Sequence, residues 1–130
     1  MGGRDCPYTI AYDAGRGMLR AHVTGTNGSF ETSLRYWLEI AGEVRRVEPE
    51  SLLVVDEMSG EVPPPGQLAQ LVDALMHQGF EGVRVAYVES HPEQIPEVEV
   101  AEIHARERGY AFRVFGDEAA ARVWLQYGGA

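Results

Sequence analysis

The chain has 130 residues, twenty acidic side chains and eleven basic ones, for a formal charge of -9 at neutral pH. All eleven bases are arginine, which excludes a Schiff-base lysine, a P-loop lysine on a phosphate and a lysine partner to receiver-domain aspartates. The acidic balance also argues against a nucleic-acid partner, because affinity for a phosphate backbone rests on a basic surface.

Tyr8 to Tyr12 alternates larger and smaller side chains, as a strand does. Ala14-Gly15-Arg16-Gly17 supplies a turn, and Met18 to Thr24 resumes the extended pattern with Leu19, Ala21 and Val23 on one side. A β-hairpin is the simplest account. Gly25-Thr26-Asn27-Gly28 breaks the strand. Ser29 or Thr32 can then cap a helix, whose stripe is Phe30, Leu34, Trp37, Ala41 and Val44. Its end falls near Arg45-Arg46, whose charge suits the negative end of the helix dipole.

Ser51 to Val55 is a continuous apolar strand of the kind buried on both faces of a parallel sheet. It stops at Asp56-Glu57, before a loop containing Ser59-Gly60 and Pro63-Pro64-Pro65-Gly66. Leu68, Leu71, Val72, Leu75 and Met76 mark a second helix, which Gly79 can terminate. Val83 to Val88 is the next strand, leading into Glu89-Ser90-His91-Pro92. A third helix begins at Pro96, carries Val98, Ala101 and Ala105 on one side, and ends near Gly109. Tyr110 to Phe115 is the last strand. Asp117 caps a final helix with Ala120, Val123 and Trp124 inward. Glu102 with Arg106 and Glu118 with Arg122 form i,i+4 pairs.

The order ββαβαβαβα implies an α/β fold: a β-hairpin followed by β-α repeats, in a mixed, mostly parallel five-stranded sheet flanked by four helices. The length fits one domain over 1–130. Cys6 has no second cysteine to pair with, and a free thiol suits a reducing compartment. No apolar run has the length of a signal peptide or a membrane span. The expected location is the cytoplasm.

Two stretches carry a family resemblance. One is Val114-Phe115-Gly116-Asp117-Glu118-Ala119-Ala120-Ala121-Arg122-Val123-Trp124-Leu125: a closing strand, an acidic cap and a helix with a Trp-Leu end. The other is the hairpin followed by Gly25, a polar capping segment and the long first helix. Together they resemble the STAS family of bacterial anti-sigma factor antagonists, and within it the small SpoIIAA-like group. The resemblance implies a regulatory or binding role rather than catalysis. In signalling members of that family a partner kinase phosphorylates a serine or threonine after the first buried parallel strand, in an Asp-Ser-Ser/Thr-Gly type motif. The corresponding stretch here, Asp56 to Gly66, lacks that motif, and Ser59 is its only hydroxyl.

Ligands of open α/β sheets sit beyond the carboxyl ends of the parallel strands. Those ends carry Asp56, Glu57, Met58 and Ser59, then Glu89, Ser90 and His91, then Gly116 and Asp117. Asp56, Met58, Ser59, Glu89 and His91 are therefore the candidate ligand-binding residues, and Ser59 is the candidate phosphoacceptor. Ser59 also reads as a plain turn serine before glycine. Asp56 and Glu89 can converge, and paired carboxylates can split their pKa values into an acid and a base. With His91 beside them they define a small-enzyme alternative, although no nucleophile is evident. The four histidines lack zinc spacing, and neither a Gly-x-Ser-x-Gly elbow nor a dinucleotide fingerprint is present. Phe30, Tyr36, Trp37, Phe80, Tyr110, Phe112, Phe115 and Trp124 suit a core or the lining of an apolar pocket. Tyr36 is the pocket or interface candidate because it falls beside the helical stripe.

The reading is a non-enzymatic STAS-like module for a partner protein or a small apolar ligand, with a possible homodimer. It implies no cofactor, no metal, no catalytic residue, no nucleic acid and no membrane span. The alternatives are phosphorylation control through Ser59 and an enzyme using Asp56, Glu89 and His91.

Overall fold

The opening hairpin turns on two consecutive residues with left-handed backbone, Arg16 at φ 55° and Gly17 at φ 78°. Such a turn matches the right-handed twist of the strands it joins. Those strands are β1 (Tyr8–Gly15) and β2 (Met18–Thr26), paired antiparallel from Tyr8 opposite Gly25 to Gly15 opposite Met18. Gly25 is required where the chain closes on itself, since a Cβ there would lie 2.2 Å from the Pro7 carbonyl oxygen. The computed structural model describes residues 7–26 and 29–127, so Cys6, Asn27 and Gly28 lie outside the described residues.

Helix α1 (Phe30–Val47) is capped by Ser29, whose Oγ accepts the Thr32 N–H at 3.2 Å. It ends where Glu48 turns left-handed at φ 54°. Its buried face is Ser33, Tyr36, Trp37, Ile40, Ala41 and Val44. The expected stripe is thus rotated: Tyr36 and Ile40 are in the core, whereas Phe30 and Leu34 only pack against it. A helix seated flat on a sheet buries a stripe more than one side chain wide, and Tyr36 falls inside that width.

Strand β3 spans Ser51–Ser59. It continues past the expected stop at Val55 because β2 keeps pairing with it, from Met18 beside Ser51 to Thr26 beside Ser59. Asp56 and Met58 are therefore strand residues, and Ser59 is the last residue of the strand. Gly25 and Thr26, expected to break β2, belong to it for the same reason. Helix α2 (Pro65–Leu75), strand β4 (Arg84–Glu89), a 3₁₀ turn over Pro92–Gln94, helix α3 (Ile95–Glu107), strand β5 (Phe112–Phe115) and helix α4 (Glu118–Tyr127) follow.

The sheet order is β1-β2-β3-β4-β5, with β1–β2 antiparallel and every later pair parallel. Successive crossovers of one hand put α1, α2 and α3 on the same face. There Leu19, Val23, Leu52, Val54, Val85 and Tyr87 pack with Trp37, Ile40, Leu71 and Val98. Among the described residues the opposite face carries α4 alone, over Leu53, Val55, Ala86 and Val88. Asp117 caps α4, its Oδ1 accepting the Ala120 N–H at 2.8 Å. That start sets the helical phase, so Ala121, Trp124 and Leu125 face the sheet and Ala120 does not. Val123, expected inward, is 58% exposed.

The aromatic residues divide between the two faces. Trp37 meets Phe80, Tyr87 and Phe112 on one, and Phe115 meets Trp124 on the other. They do not gather in one pocket, since Phe115 and Trp124 lie on the face away from the others. Among the described residues no helix is long and apolar enough to cross a membrane.

Candidate functional site

Strand alternation aims two acids at the same side of the sheet. In β3, Leu52, Val54, Asp56 and Met58 face α1–α3, and in β4 so do Val85, Tyr87 and Glu89. Parallel register sets Asp56 beside Glu89. Both end up buried, Asp56 5% exposed and Glu89 3%.

Asp56 is held by donors from three parts of the chain. Its Oδ1 accepts the Met58 backbone N–H at 2.8 Å. Its Oδ2 accepts the Tyr36 hydroxyl of α1 at 3.2 Å, and also the Tyr87 hydroxyl of β4. Burial pushes the carboxyl upward from its ordinary pKa, against the pull of these three donors and of His91. Burial likewise pushes both tyrosine hydroxyls well above their usual range, and the Asp56 charge adds to it.

Glu89 is held on one side only. Its Oε2 accepts the His91 backbone N–H at 3.0 Å and lies 3.2 Å from the ring Nδ1. Burial raises its pKa, the neighbouring Asp56 charge raises it further, and His91 opposes both. Two register-paired acids in a dry setting are each costly to ionise, and the second costs more than the first.

The acids line a cavity of about 60 Å³ between the sheet and the three helices. Tyr36, Trp37, Tyr87 and Val98 form much of the wall, and Met58 belongs to both wall and core. The rim is Ser59, Gly60, Glu61 and Gln94. Gln94 fastens the rim, its Nε2 donating to the Gly60 carbonyl at 2.9 Å. Ser59 is exposed and its Oγ donates to the Gly25 carbonyl at 3.2 Å.

The structure thus brings Asp56, Met58, Ser59 and Glu89 to one cavity. His91 backs Glu89 from outside and is absent from the cavity wall. Its backbone is extended before Pro92, at φ -109° and ψ 100°. Tyr87 and Gln94 are site residues that sequence reading missed, and Tyr36 lines the cavity from the core stripe rather than from beside it. The signal for Tyr87 was present: it stands two residues before Glu89 in a strand, hence on the same face. Nothing local to Tyr36 announces that its hydroxyl meets an aspartate twenty positions away. The other histidines lie elsewhere: His22 pairs with Glu57, His77 lies near Glu81, and His104 pairs with Asp73. Among the described residues no three His, Cys, Asp or Glu side chains are grouped to hold a metal ion.

No protein-family model matches the chain, and no curated protein sequence matches it. Among solved structures it is similar to the crystal structure of an anti-sigma factor antagonist from Mycobacterium paratuberculosis, with a TM-score of 0.57 at 14% identity. The likeness covers 94% of this chain and 97% of that one. The chain has the fold of an anti-sigma factor antagonist. Nearly all of each chain is used in the match, so the antagonist fold accounts for the hairpin, the parallel strands and the helices together. The buried acid pair sits within that fold toward the carboxyl ends of β3 and β4.

Proposed function

We propose that this chain, as a single domain, is a non-enzymatic regulatory module that works by binding a partner protein at the carboxyl ends of its parallel strands. The observation that carries the reading is the coincidence of the whole fold with that of an anti-sigma factor antagonist. The site chemistry agrees with it. Asp56 spends its oxygens on Tyr36, Tyr87 and Met58 of its own chain. A partner protein is preferred over a small apolar ligand because about 60 Å³ is far below the roughly 300–1,000 Å³ of ordinary ligand pockets. A larger open depression of about 670 Å³ lies by the hairpin turn, but Asp13, Arg16, Glu50 and Arg122 make it charged rather than apolar.

The test is to recover the partner from cells that make the protein and titrate it against the purified chain. A saturable complex that weakens in Glu61→Arg, a change on the exposed rim, is expected. A purified chain that turns over a substrate, with Asp56, Glu89 or His91 essential, would overturn the reading and restore the enzyme alternative.

Ser59 supports a second reading, phosphorylation control of the same surface. Its hydroxyl is exposed on the rim of the cavity, close to Glu61. A phosphate there adds about two negative charges to an acidic rim and repels it. Intact mass after incubation with ATP and an extract of the source cells is the check; a chain that stays unmodified at Ser59 removes this reading.

A further inference from the structure

The acid pair lacks the partner that buried charge calls for. A carboxylate removed from water is stabilised by a cation, by a full set of donors or by a proton. Asp56 has the donors. Glu89 has half a set: its side chain is 4% exposed, its Oε2 is occupied by His91, and its Oε1 accepts from no described residue. Among the described residues no arginine lines the cavity, and the chain has no lysine.

We propose that the cavity receives one arginine side chain of the partner protein, its guanidinium pairing with Glu89 Oε1 and the spare lone pair of Asp56 Oδ1 against the surrounding aromatic rings. The inference rests on the partner-binding reading above and names the group that the partner inserts. Size supports it. At about 10–15 Å³ per water, the cavity holds about four to six heavy atoms, and a guanidinium has four. Chemistry supports arginine over lysine. The planar fork meets two carboxylates side by side, sheds water more readily than an ammonium, and stacks on rings such as Trp37 and Tyr87. The exposed Glu61 on the rim and the net charge of -9 favour the approach of a cation.

The titratable groups around Glu89 are few. Asp56 from β3, Tyr36 from α1, Tyr87 from β4 and Glu61 on the loop line the cavity with it, and His91 contacts it from outside. From α2 and α3 the walls are apolar: Leu68, Leu71, Val98 and Ala101. Guanidinium binding therefore weakens as pH falls and the two acids take up protons.

The probe is N-methylguanidinium chloride, with N-methylurea as its neutral near-isostere, titrated into the full chain at pH 7 and followed by the Trp37 and Tyr87 resonances. Saturable binding of the cation and none of the urea is expected. Glu89→Gln should weaken it by about tenfold or more, the loss of one charge-assisted contact. Ala101→Leu fills the cavity from α3 without touching either acid and should abolish binding while the fold is kept. Absence of saturable binding, equal binding of the urea, or unchanged binding in both variants overturns the inference. A partner complex that survives in both variants removes the arginine and leaves the regulatory reading standing. Probe binding at Glu89 in a chain that never forms a protein complex removes the regulatory reading, and with it the assignment of the arginine to a protein.

Discussion

Two groups of carboxylates on opposite faces of one sheet meet opposite fates. On the α4 face, Glu118 takes Arg20 in a bidentate grip, Nε at 2.8 Å and Nη2 at 3.1 Å, and Arg122 at 2.8 Å. These cations hold its pKa down to about 2. On the α1–α3 face, Asp56 and Glu89 have no arginine among the described residues, and burial pushes both upward. Glu118 remains 30% exposed and needs little dehydration, whereas the other two are almost wholly buried. The contrast separates charge used to fasten a helix from charge kept in reserve beside a cavity. A carboxylate that only built structure would be expected to look like Glu118.

The largest expected effect removes the reserve itself. Asp56→Ala leaves the Tyr36 and Tyr87 hydroxyls and the Met58 N–H without their acceptor, and should cost about 3–5 kcal/mol in urea unfolding. A loss below about 1 kcal/mol would show that the cluster holds nothing together.

Titration should reveal the two groups by sign. Folding favours the protonated forms of Asp56 and Glu89, so their contribution is greatest below the unfolded carboxyl range near pH 4. It declines as pH rises through their raised folded values. Asp56→Asn cannot ionise, so the native chain should lose ground to it steadily as pH rises from 3. A gap independent of pH breaks the comparison. Glu118 runs the other way. Its contribution is present above the ordinary value of 4.5 and is lost as pH falls through about 2. Glu118→Gln should cost about 1 kcal/mol at pH 7, allowing for solvent screening, and progressively less in acid. The smallest effect belongs to Arg122→Ala, about 0.3–0.5 kcal/mol and weaker in high salt, because Arg20 still grips both oxygens of Glu118.

The convergence of Asp56 and Glu89 was legible from sequence. Two apolar runs, Leu52-Leu53-Val54-Val55 and Val83 to Val88, each ended in an acid, and neighbouring parallel strands bring such ends together. The cap at Asp117 and the pair Glu118–Arg122 were legible too, because both are interactions within one helix. The extent of β3 was not. A local reading ends the strand at the first charged residues, but pairing with β2 carries it four residues further. Val123 was misassigned by less, since a one-residue shift in helical phase moves a side chain from sheet to solvent.

By itself, the sequence determined the order of elements, the acidic lysine-free chemistry and the acids at the strand ends. These follow from side-chain periodicity and from composition, which are properties of short segments. Only the tertiary structure decided that Asp56 would be tied down by Tyr36 and Tyr87 while Glu89 kept one oxygen free. It also decided that Arg20 and Arg122 would pair with Glu118 on the other face. Burial and hydrogen bonding of a carboxylate are set by what packs over it, and here those groups come from α1 and β4, brought together by the sheet rather than by the chain.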